Sequence, residues 1–195
     1  NKREPFWQNM KKLDDQLKLY LLVAFMFTLG NSSNAFLLLR AKSVGFDDKN
    51  VILLYFIFNL TASILSIPLG RLSDRIGRKK LLVTGYIVFS TVYLGFAFAS
   101  SQATIIVAFI LYGFYTAMIT GVERAFIAEI SPKDLKGTML GLHSTIVGVA
   151  LLPASLIAGL LWDGFGAPTM FIFGSGMSLL AALTLLLFMK NKTLL

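Results

Sequence analysis

The chain has 195 residues, 56% of them hydrophobic and only 14% charged. A soluble domain carries about 25% charged residues, so the composition excludes an ordinary soluble globule and indicates a membrane protein. The net charge of +8 arises from basic residues in the gaps between apolar runs. Such a pattern suits an anionic membrane surface and not nucleic acid. With no cysteine there is no disulfide, thiolate metal site or cysteine nucleophile.

Residues 1–16 are charged, with Phe6, Trp7, Met10 and Leu13 among them. Trp7, Met10 and Leu13 recur near helical spacing, which fits an amphipathic helix on the membrane surface or a solvated linker with a few anchors. The first residue is Asn and no signal-peptide pattern follows, so the chain reads as a piece of something longer.

Six apolar segments follow, at 17–39, 51–70, 81–99, 104–126, 137–161 and 168–189. Each is long enough for a bilayer that needs about 20 residues per helix. The expected fold is an all-α integral membrane bundle of six helices over 17–189, with a short tail at 190–195. Short polar connectors separate the spans: Arg40–Asn50, Arg71–Lys80, Ser100–Ala103, Ile127–Lys136 and Trp162–Pro168.

Charge counting orients the bundle. With the N-terminus inside, fifteen Lys and Arg fall on the inner side, and three, Arg40, Lys42 and Lys49, on the outer side. The positive-inside rule then places both termini in the cytoplasm. Six spans so arranged divide into two three-helix units of opposite topology, as in inverted-repeat transporters, although 17–99 and 104–189 share no evident sequence identity.

Polar residues within spans mark candidate sites, because they are costly in lipid. In the first span Gly30-Asn31-Ser32-Ser33-Asn34 interrupts the apolar run. Asn31 and Asn34 share a helical face and read as a substrate-facing amide pair or as interhelical hydrogen-bond glue. In the fourth span Tyr112, Thr116, Thr120 and Glu123 form a stripe at steps of four, four and three. That stripe reads as cavity lining, with packing as its plain alternative. Glu123 and Arg124 lie toward the cytoplasmic end, where an ion pair is the plain account and a solute or proton site the sharper one. His143, the only histidine, is expected in a hydrogen-bonded structural role. Gly137 with Gly141, and Ala154 with Ala158, have the spacing of close helix contacts, and Pro153 should kink the fifth span.

No phosphate-cradling glycine loop, metal-ligand cluster or convergent Ser-His-Asp set is present. Neither enzymatic activity nor a cofactor is expected.

The basic connector carries a known signature. Gly70-x-Leu72-x-Asp74-Arg75-x-Gly77-Arg78-Lys79 resembles the loop motif between the second and third helices of a half in the major facilitator superfamily. The likeness continues through Glu123-Arg124-Ala125, Glu129-x-x-Pro132, Lys136-Gly137-Thr138, Gly141-Leu142, Leu152-Pro153-Ala154-Ser155, Gly159-Leu160-Leu161-Trp162-Asp163 and Phe165-Gly166. With Gly30-Asn31-Ser32-Ser33 and Phe36-Leu37-Leu38-Leu39-Arg40-Ala41, the chain looks like the C-terminal six-helix half of a bacterial transporter of that superfamily.

The resemblance implies a twelve-span machine of which about half is absent here, supplied by the same chain or by a second copy. It implies a secondary active transporter in the bacterial cytoplasmic membrane, efflux-like, moving a small organic solute by alternating access. Residues 1–16 would be the end of the cytoplasmic linker between halves. The first and fourth spans would line the cavity. Gly70, Leu72, Asp74, Arg75, Gly77 and Arg78 would form a cytoplasmic gate, with Arg78 or Arg75 paired to Glu129 and Asp74 capping a neighbouring helix N-terminus. In a proton-coupled machine the principal coupling carboxylate would lie in the missing half. A homodimeric half-size transporter, and a receptor or scaffold that keeps the fold without transporting, are the alternatives.

Overall fold

A computed structural model describes residues 14–189, so all but the last three residues of the segment expected at 1–16, and the tail at 190–195, lie outside the described residues. The described residues form helices α1 (Asp15–Gly30), α2 (Ala35–Ser43), α3 (Asp48–Ile76), α4 (Arg78–Ala97), α5 (Gln102–Ile130), α6 (Lys136–Phe165) and α7 (Ala167–Phe188), with a 3-10 turn at Lys133–Leu135 before α6. Six segments are long and apolar enough to cross a membrane, α1 and α2 counting together as the first.

Local chemistry sets the boundaries. The Asp47 carboxylate accepts from the Asn50 amide at 3.0 Å and caps α3, while the Ser101 hydroxyl accepts from Thr104 at 3.3 Å and caps α5. Gly77, at φ 96°, is the lone non-helical residue between α3 and α4. The connector expected at Arg71–Lys80 is therefore mostly helical. Its charges ride on overhanging helix ends, where water satisfies them and the helical hydrogen bonds continue unbroken. Gly166, at φ 88°, makes the equivalent turn between α6 and α7.

Packing is built around α4 and α7, which touch each other along their length. α4 also packs on α5, and α7 on α1. The buried rings of Tyr86, Phe89, Tyr93, Phe96, Phe109 and Phe171 fill these seams. Hydroxyls tie α4 to α7: Ser90 and Ser175 meet at 2.6 Å, and Ser178 donates to the Tyr86 carbonyl at 2.7 Å. Each such bond within a bilayer contributes about 0.6 kcal/mol.

The closest helix approaches differ from those expected. A Cβ on Gly30 would lie 2.6 Å from the Met177 Cβ, and one on Gly174 would lie 2.5 Å from the Gly30 carbonyl, so α1 and α7 cross almost backbone to backbone. Gly137 and Gly141 instead have nothing within 4 Å of a Cβ. They lie on an exposed side of α6, whereas Ala154 and Ala158 are buried. α6 continues through Pro153, and α3 through Pro68, each as one unbroken helix.

α3 and α6 are the least covered spans. In each, 17% of the apolar window is buried, against 61% in α4. Both help to line one cavity, α3 through Tyr55, Phe58 and Asn59 and α6 through His143, Ser144 and Val147.

Candidate functional site: a cavity and a basic hinge

The first span is broken at Asn31–Asn34, between α1 and α2. Gly30 brings α1 onto α7 at this level, and of the four polar residues that follow, Asn31 and Asn34 reach across the bundle with their side chains. The Asn31 amide nitrogen lies 3.4 Å from the Tyr115 hydroxyl, and the Tyr112 hydroxyl donates to Asn34 Oδ1 at 2.9 Å. The outer piece, α2, is fastened separately. Arg40 donates from Nε to the Phe96 carbonyl at 2.9 Å, and from Nη2 to the carbonyls of Ala97 and Ala99 at 3.2 and 2.9 Å. A guanidinium thus occupies the carboxyl end of α4, where the helix leaves carbonyls unsatisfied.

Below the break lies a cavity of about 600 Å³. Asn31, Asn34, Tyr112, Thr116, Thr120 and Glu123 all line it. So do several residues the sequence did not single out for it: Phe27, Tyr55, Phe58, Asn59, Tyr115 and His143. Asn59 is an amide inside an apolar span, the same signal that marked Asn31. Tyr115 lies three residues from Tyr112, on the same side of α5. The aromatic wall has no sequence signal of its own, because Phe and Tyr occur in every span. A second hollow, of about 380 Å³, shares Asn59, Thr116 and Thr120 with the first and runs between α3 and α5 past Ser63 and Ser66 to Gly70.

Glu123 does not form the helix-end ion pair expected with Arg124. It is half-buried and accepts from the Tyr86 hydroxyl at 3.2 Å. Neighbouring residues on a helix point about 100° apart, which sends Arg124 to the exposed rim. His143 is 7% exposed and lies parallel to the Tyr20 ring at 6.1 Å between centroids. Its Nε2 has no hydrogen-bond partner among the described residues, in contrast to the hydrogen-bonded role expected.

At the basic end, Arg78 is the centre of a three-helix junction. Nη1 donates to Glu129 Oε2 at 2.8 Å and to the Ala125 carbonyl at 3.2 Å, and Nη2 donates to Asp74 Oδ1 at 3.1 Å. It is Arg78 that reaches Glu129, while Arg75 is exposed. Lys79 turns the other way and donates to the carbonyls of Leu186 and Met189 at the end of α7. Gly70 borders the second hollow, Leu72 is exposed, and Gly77 makes the turn. All of these partners belong to the one bundle that the described residues form. Of the charged residues in the hinge, Arg71, Asp74, Arg75 and Lys80 are left exposed.

Six apolar helices, a polar cavity between them and a basic hinge at one end describe a membrane-spanning bundle, and comparison with known proteins identifies its family. The sequence profile of the Major Facilitator Superfamily matches residues 20–194. The chain belongs to the Major Facilitator Superfamily. An MFS-type transporter of Methanocaldococcus jannaschii, described as uncharacterised, is 41% identical over 192 residues, covering 95% of this chain and 48% of the relative. A protein of Lactococcus lactis named as a multi-drug resistance efflux pump PmrA homolog is 32% identical over 161 residues, covering 80% and 40% of the two chains. Multidrug resistance protein 2 of Bacillus subtilis is 29% identical over 135 residues, covering 69% and 34%. The chain thus spans about half the length of the curated relatives it matches.

Proposed function

We propose that this chain is one six-helix half of a secondary active transporter that moves a small organic solute by alternating access. The observation that carries the reading is the cavity itself. Amides, tyrosine hydroxyls and a carboxylate from three spans converge on one volume, which lies on the side of α3 and α6, the two least buried spans. Polar groups on spanning helices belong on a solute path or a protein interface, since lipid offers them no partner. A second six-helix unit seated on that side encloses the volume and, by rocking, exposes it to either face of the membrane.

In this reading the hinge lies at the cytoplasmic side and works as a unit. Arg78 and Glu129 hold it rigid, while Arg71, Asp74 and Arg75 are the groups offered to the opposite half. The names of the Lactococcus and Bacillus relatives support an efflux-like role. For a proton-coupled cycle, the principal coupling carboxylate is assigned to the missing half, because Glu123, the one acid among the described residues that line this cavity, sits at its inner end. Loss of proton-coupled uptake in Glu123→Gln with solute binding intact would overturn that assignment.

The decisive experiment is flux through the full-length polypeptide in proteoliposomes. Solute-dependent transport supports the reading. Binding without flux under any imposed gradient would leave the receptor or scaffold in its place. The uncovered faces of α3 and α6 equally suit a second copy of this chain, and particle mass in detergent separates a homodimer from a twelve-span monomer.

A further inference from the structure

The two parts of α6 are held differently. Between Lys136 and Val149 the buried residues are Met139 and His143, one turn apart, while Leu140, Leu142 and Ile146 are only partly covered. Beyond them Ala150, Ala154 and Ala158 seat the rest of the helix. Pro153 has no N–H to give the Val149 carbonyl, so the helix lacks a rung where the two parts join. At its start, the 3-10 turn at Lys133–Leu135 links α6 to α5.

His143 is the polar member of the inner seat. Its ring lies against Tyr20 of α1, and its Nε2 is shut away from solvent with no hydrogen-bond partner. The same residue lines the cavity, through which protons reach the ring.

We propose that His143 is a proton-operated latch: the neutral ring seats the inner part of α6 on α1, and the protonated ring releases it. The moving segment carries His143, Ser144 and Val147 of the cavity wall, so its release widens the cavity at the basic end of the bundle. This is a movement inside one six-helix unit, and it does not depend on the transporter reading.

The chemistry follows from the orphaned nitrogen. A neutral imidazole can hold its proton on Nδ1 and bury only a lone pair at Nε2, whereas an imidazolium carries N–H on both nitrogens. The buried face then holds a donor and a charge with no acceptor. No neighbouring element supplies one. The Tyr20 hydroxyl makes no bond to the ring, and at 6.1 Å the Tyr20 face is at the limit of cation–π range. Asp15 and Lys18, also on α1, are exposed and pair with each other. On α5, Glu129 pairs with Arg78, and Glu123 accepts from Tyr86. Arg124 on the same helix adds repulsion to a charged ring. Lys133, Asp134 and Lys136 at the start of α6 are exposed, and α7 has no ionisable side chain. Protonation of a buried histidine against such a surface favours separation of the two faces.

The test is hydrogen–deuterium exchange on the full-length polypeptide in nanodiscs at pH 8 and pH 5, which bracket the ordinary titration of imidazole, with each set corrected for intrinsic exchange. Amides over 139–148 should exchange about tenfold or more faster at pH 5, the scale of one buried donor left without an acceptor. Amides over 155–163 should be unchanged. His143→Phe keeps a ring on Tyr20 but cannot be protonated, and should remove the pH effect. His143→Gln, uncharged at both pH values, should do the same where the phenyl ring lowers the melting temperature. Equal exchange at the two pH values in the unmodified protein overturns the latch. So does acceleration that persists in both variants, or that runs evenly along α6. Slower exchange at pH 5 that Glu123→Gln abolishes would also overturn it, by showing that the charged ring pairs with Glu123 and stays seated.

Discussion

Arg78 and Glu129, separated by 51 residues in sequence, meet at 2.8 Å and join the start of α4 to the end of α5. Both side chains are about 30% exposed, so the pair is neither a screened surface contact nor a dry one. A double-mutant cycle on thermal unfolding, with Arg78→Gln and Glu129→Gln, should give a coupling of about 1 kcal/mol. A coupling near zero would show that the junction is held by the other contacts of Arg78, to the Ala125 carbonyl and to Asp74.

Asp74 shares the same guanidinium but remains largely open. Asp74→Asn should therefore insert and fold normally while transport falls several-fold, because in the proposed two-half machine the lost charge is one of those offered to the other half. Unchanged transport in membranes with normal protein levels would remove the hinge from the gating machinery.

The crossing of α1 and α7 makes a sharp prediction about packing. Gly30→Ala and Gly174→Ala each place a methyl group within 3 Å of the facing helix. Overpacking of this kind costs about 1–3 kcal/mol, to be read as a lowered melting temperature in detergent. Gly137→Ala, where nothing lies within 4 Å, should leave the melting temperature unchanged when made in this six-helix chain alone.

Arg40 should matter for stability at the outer end. Arg40→Gln gives up most of a three-carbonyl clamp on α4, at about 1–3 kcal/mol. Hydrogen exchange around residues 97–99 should accelerate, with Arg40→Lys giving partial rescue. Unaltered exchange there would mean that α2 is held by its buried Leu37 and Ala41 alone.

At the outer end of the cavity, Asn34→Leu and Tyr112→Phe break the same 2.9 Å bond. If the pair contacts solute, each change raises KM more than it lowers kcat, and the double variant falls well short of the product of the two single effects. Fully multiplicative effects would separate the two residues.

The six spans, their order and the basic character of the hinge follow from the sequence because lipid imposes rules that composition must obey. A span needs about 20 apolar residues, and clustered Lys and Arg must stay at a water interface. The α5 stripe was legible for the same reason: Tyr112, Thr116, Thr120 and Glu123 stand out against apolar neighbours at helical spacing. The aromatic wall of the cavity was not, since Phe27, Tyr55, Phe58 and Tyr115 look like lipid-facing or core residues until a partner helix is placed beside them.

What the sequence by itself determined is thus a membrane topology and a short roster of polar residues that lipid would not accept. Tertiary structure alone decided which of them meet. The split of the first span into α1 and α2 depends on the Gly30–Gly174 crossing. The choice of Arg78 over Arg75 for Glu129 depends on where Gly77 turns the chain. Tyr86, rather than Arg124, became the partner of Glu123 because neighbouring residues on a helix point in different directions, and only the packing of α4 against α5 sets which direction faces inward.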